Sequence, residues 1–393
     1  MAYQNVGTPR FYIDYFSHWH STGFINGILS PTETNINGSF LGLDTISPFI
    51  ISGEPNESGN FSFSIDLNDN LPHKVLDSIN YIGYIGHNIN KLYGEAEATA
   101  VRMNFYKKDN PDSVSGQHNW RGACTQINAV DEGENPEIIN AELIHFGAGL
   151  DNYTSIYNSG FSLYKVKANL TGSGDDGNQN VDRFQIILKQ YKETTAQTDY
   201  NGTWNLNALS MGHFYDMPVS ADLKLNMEVE FDGYDQIDTT GGSTLTNIRY
   251  TGSPQWGDNN PWEIGDSNPI YKRNGRRNWT LKFSYIADKD LFASNYSSNN
   301  WLSNSTDNSD YSSNNDLTEI DGNEFEYTLM DDDSFIAKVL NFVGNGQRFI
   351  FQADNTNNNP DQFAICVLDQ DSLKISQVAF KTYNISLKIR EVW

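Results

Sequence analysis

Cysteine is nearly missing from this chain. Among 393 residues there are two, Cys124 and Cys366. They lie far apart, which rules out a disulfide framework and a CxxC metal site, and both read as buried thiols. Positive charge is also scarce: 26 Lys and Arg stand against 50 Asp and Glu, for a formal charge of −24. Such a field repels phosphate backbones and anionic bilayers, so neither a nucleic acid nor a membrane surface is expected as a partner. Long apolar runs are missing too. The hydrophobic fraction is 38% and the mean hydropathy is −0.56, so no membrane-spanning helix is expected. The start, Met1 to Ile13, lacks a basic segment followed by an apolar one and does not read as a signal peptide. Synthesis in a cytoplasm, and no use of the general secretory route, are therefore expected. The sequons at Asn37, Asn152 and Asn201 then carry no weight, because an Asn- and Ser-rich chain produces them by chance. Nucleotide loops (GxxxxGK[ST], GxGxxG), the GxSxG elbow and the HExxH zinc helix do not occur.

What the chain does have is aromatic side chains and alternation. Aromatics make up 13%, with 21 Tyr, 22 Phe and 8 Trp, too many for a disordered acidic chain. Period-2 patterns dominate, so the fold class is all-β. Leu223, Leu225, Met227, Val229 and Phe231 alternate with polar residues and predict a strand over 222–231 with its apolar row on a core. Similar patterns predict strands near 61–65, 80–86, 98–106, 161–168, 184–191, 279–285 and 383–389, and Phe363 to Leu368 reads as a strand buried on both faces. One helix is predicted near 333–343. Asp331 to Asp333 would cap it, Phe335, Ile336, Val339, Leu340 and Val343 would form its buried face, and Gly344 would end it. The expected organisation is an arm or first strand over 1–24, a β-sandwich over 25–230 of jelly-roll or galactose-binding-like arrangement, and a second β-sandwich-like domain over 231–393. Long polar loops at 107–119, 172–180, 294–316 and 354–361 would bind something or line an interface.

No residue set announces catalysis, and no cofactor or metal is expected. His18 and His20 would share one side of a strand, but no third ligand is evident. Asp66 to Asn70 departs from a calcium loop at Leu71 and Asp77 and reads as a turn after a strand. With 50 acidic residues, no glycosidase pair can be picked out by eye. Two clusters do stand out. Trp256 and Trp262 sit in a Pro-, Gly- and Asn-rich loop, and Trp301 in another; these rings could stack on sugars or plug a neighbouring subunit. Lys272 to Arg277 is the densest basic run, and Arg276 and Arg277 could meet carboxylates across an interface or merely turn a hairpin.

Several stretches carry a resemblance. Asn80 to Asn88 is an apolar strand closed by Gly-His-Asn, similar to a recurring strand in sandwich domains of phage tail and virion proteins. Tyr3 to Tyr12, Gly212 to Pro218, Gly275 to Trp279 and Asn357 to Ile365 resemble stretches of virion structural proteins of marine bacteriophages. The resemblance implies a tail, baseplate or fibre protein that is located in the virion and forms homo-oligomers docked to other virion proteins. It implies no catalytic residue. His87 would cap its strand or, less simply, act as a ligand residue. The rival expectations are a receptor- or host-glycan-binding module on the particle, a capsid decoration protein and a polysaccharide-degrading enzyme.

Overall fold

A computed structural model describes residues 7–29, 35–37, 40–45, 49–52, 60–71, 78–88, 98–106, 125–126, 137–138, 154–156, 160–165, 181–191, 204–223, 226–231, 234–248, 256, 260–263, 275–292, 333–344 and 346–392. The fold is all-β, built of antiparallel sheets. The largest has eleven strands. In chain order these are β1 (Arg10–Asp14), β2 (Tyr81–His87), β3 (Glu137–Ile138), β4 (Gly160–Lys165), β5 (Ala208–Asp216), β6 (Asn226–Glu230), β7 (Arg276–Ala287), β8 (Phe349–Gln352), β9 (Phe363–Leu368), β10 (Ile375–Ala379) and β11 (Thr382–Glu391). Across the sheet the order is β6-β7-β11-β9-β8-β1-β5-β2-β4-β3, with β10 on β11. A second sheet of six strands contains Asn60–Leu71, Ala98–Tyr106 and Val181–Tyr191, and a three-stranded sheet contains Phe49–Ser52. Phe40, Phe49 and Phe63 pack ring to ring at 4.7–5.6 Å, which lays the small sheet on the six-stranded one.

Of the two expectations for residues 1–24, strand or arm, residues 10–14 form a strand, and it lies mid-sheet. β1 pairs with β5 on one side and β8 on the other. The reason is in its residues. Phe11 and Ile13 enter one core and Tyr12 enters the other. A strand apolar on both faces is stable only where both faces are covered. β1 therefore joins strands from early and late in the chain, and the boundary expected at 230/231 lies at the end of β6, which pairs with β7 of the later stretch.

Each face has its own cover. On the first, a π-helical turn (Ile336–Leu340) continues into helix over Asn341–Val343. Phe335, Val339 and Val343 pack on Phe11, Phe351, Trp279, Leu281 and Leu387. The helix predicted at 333–343 is thus present, but its cap differs. Ser334 Oγ accepts from Ala337 N at 3.3 Å, while Asp333 is exposed and reaches only Lys338 at 4.0 Å. On the second face, Trp256, Trp262 and Leu43 cover Tyr12, Tyr81, Phe161, Ile350 and Phe363.

A further helix, α1 (Tyr15–Ser21), was not expected. Asp14 caps it by accepting from Ser17 N at 2.9 Å. His18 and His20 therefore sit on a helix, about 200° apart around its axis, and share no side. Asp66 to Asn70 lie inside the Asn60–Leu71 strand and make no turn.

Gly212 lies on β5 opposite Asp14. A Cβ there would overlap the carbonyl oxygen of Ile13, which belongs to backbone and cannot swing away. Gly212→Ala is expected to destabilise the chain by about 2 kcal/mol, from strained packing in a closed core. Urea unfolding checks this; a loss within about 0.5 kcal/mol would mean that β1 and β5 separate without penalty.

Candidate interaction surface

The tryptophan loop is internal. Trp256 and Trp262 are 1% and 3% exposed. Their rings meet edge to face at 4.8 Å, and Trp262 also stacks on Phe363 at 6.1 Å and meets Phe161 at 5.1 Å. Neither ring presents a face to a sugar, because both faces are spent on the sheet. Trp301 lies outside the described residues, as do Lys272, Arg273 and Cys124.

The arginine pair is also used inside the chain. Arg277 and Glu391 flank the Asn278–Arg390 pair of the β7–β11 ladder, and Arg277 N donates to Glu391 Oε2 at 2.9 Å. Its Nε donates to Glu391 Oε2 at 2.9 Å and its Nη2 to Oε1 at 2.8 Å. The two side chains are 9% and 0% exposed. The same guanidinium donates to the carbonyls of Asp361 and Phe363 and lies 5.0 Å over the Trp279 ring. Arg276 is half-buried and lies opposite Glu230 on β6. The expected positive patch thus finds its carboxylates within the same chain.

The polar loop 354–361 is structural as well. Asp354 accepts from Gly7 N, and Asn355 donates to Thr8 and to Asp216, which also grips Arg10 through Nε and Nη2 at 2.6 and 2.8 Å. Tyr12 donates to Gln352, which in turn donates to the Asn357 carbonyl and to Asn358. Asn80 bonds Gly212 and Phe214. The described parts of the stretches that carry the virion resemblance therefore lie in one sheet and bond to one another, where they serve packing.

Buried titratable groups follow the same rule. His87 ends β2 fully buried, with Nε2 2.7 Å from Ser162 Oγ. His213 Nε2 donates to the Lys338 carbonyl at 2.7 Å, so its Nδ1 accepts from Tyr15 Oη at 2.8 Å. Burial pushes both imidazoles down to about 3. Among the described residues no group of His, Cys, Asp and Glu is arranged to hold a metal ion.

The surface that stays unmatched is the β6 edge. Met227 and Val229 oppose Trp279 and Arg277, so they extend the apolar face that the helix covers farther in. Here no described residue covers it: Met227 is 57% exposed, Val229 42% and Phe231 62%. The apolar row expected to lie on a core is real, but it overhangs. Gly275 lets the chain pass close by, since a Cβ at its φ of 77° would come within 2.6 Å of Val229. In the hairpin Tyr234–Asp238/Thr244–Ile248 that follows β6, residues 235–238 and 244–246 are exposed, with Ile237 opposite Leu245 at 65% and 61% exposure.

The other face of the edge carries both charges, with Arg276 opposite Glu230. Glu228, Glu230 and Asp369 surround an open hollow of about 460 Å³ with Asn278 and Arg390. Asn278 and Arg390 bond Glu230 at 3.2 and 3.0 Å, and these contacts, Asn278 first, hold its carboxyl below the ordinary value. Among the described residues Glu228 and Asp369 have no ion-pair partner. The alternation over 222–231 pointed to this strand; nothing in the sequence marked its apolar row as uncovered.

No family model matches the chain, and no curated protein matches it. A solved structure of the CBM32-1 and CBM32-2 domains from Clostridium perfringens ZmpB superposes with 10% identity and a TM-score of 0.21. The match takes in 54% of this chain and 42% of that one, so the chain spans under half of that structure's length. A superposition at that score supports no statement about ligand or fold.

Proposed function

We propose that the protein is a structural component of a bacteriophage particle, in the tail, baseplate or fibre region, and that it works by docking to copies of itself and to other virion proteins. The observation that carries the reading is the uncovered apolar row Met227–Val229–Phe231, together with the exposed Ile237–Leu245 pair of the hairpin that follows it in the chain. Exposed apolar rows on a chain of charge −24 fit a surface meant for burial against a neighbour, and a two-stranded ribbon is marginal in water until something packs on it. The resemblance of the quoted stretches to virion proteins supplies the setting. The glycan-binding rival loses its main support, because Trp256 and Trp262 are spent inside.

Electron microscopy of phage particles labelled with antibody against the purified chain tests the reading. Label at the tail end is the expected result. Particles without label or without the chain by mass spectrometry would overturn it. So would specific retention on a glycan array by chain that never enters particles.

A further inference from the structure

We draw no further inference here: the strongest candidate, the edge of β6 with its uncovered apolar row Met227, Val229 and Phe231, carries none because nothing in the structure shows what covers it.

Discussion

Glu391→Leu is expected to lower the unfolding free energy by about 3–5 kcal/mol, the cost of leaving one member of a buried ion pair without its counter-charge. The geometry puts Arg277 and Glu391 in that class. Both side chains are almost fully buried and the contact is bidentate. Arg277 also spans three strands: it lies on β7, binds Glu391 on β11, and donates to the carbonyls at and just before the start of β9. Losing the carboxylate frees a guanidinium that burial prevents from finding water. Urea denaturation of the variant checks the size. Arg277→Met combined with Glu391→Leu is expected to recover at least half of the loss, because the stranded charge is gone and only neutral carbonyls lose a donor. A single-variant loss under about 1 kcal/mol would show that water reaches the pair, placing it with surface bridges. The effect reaches the candidate interface, since among the described strands β6 pairs only with β7.

Much of the strand content was legible because alternation is a local signal. Most of the predicted strands appear within a few residues of their expected places, β6 and β11 among them. What alternation does not report is the identity of whatever lies against a face. Met227 and Val229 alternate as cleanly as Leu387 and Ile389, yet the first pair overhangs and the second is buried. The tryptophan loop failed in the opposite direction. Its Pro, Gly and Asn residues mark a turn-rich segment correctly, but whether such a segment folds back onto a sheet is set by distant residues such as Tyr12, Phe161 and Phe363. The arginine run was read as a surface because its counter-charges are remote in sequence, with Glu391 lying 114 positions from Arg277. One signal was present and unused. Arg10 to Asp14 is a short run with apolar side chains on both sides, and that alone pointed to a central strand over an arm. The helix α1 was hidden by its length and by a cap, Asp14, that also belongs to the strand before it.

Acid is expected to unfold this chain earlier than its charge alone would suggest. His87 and His213 stay neutral in the folded protein down to about pH 3, whereas in the unfolded chain they take up protons near pH 6.5. Between these values the unfolded state binds more protons, so stability is intact above about 6.5 and falls as pH drops, by about 1.4 kcal/mol per unit for each histidine. From neutrality to about pH 5 the two together remove about 4 kcal/mol. Asp14 acts with the opposite sign. Burial, opposed by bonds from Ser17 and Met211, raises its carboxyl, so just above the ordinary carboxylate range the folded state holds the extra proton and gains as pH falls. That gain involves one group against two. His213 is also fixed by its surroundings: Tyr15 donates to Nδ1, the Lys338 carbonyl occupies Nε2, and the Lys338 ammonium disfavours a second positive charge. Unfolding midpoints at about pH 7 and about pH 5 measure the slope. His87→Gln and His213→Gln are each expected to lower stability at neutrality and to remove about half of the pH dependence, because glutamine takes up no proton in either state. A wild-type chain equally stable at both pH values, or a slope unchanged in both variants, would mean that these imidazoles charge in place and that the sheet centre admits water.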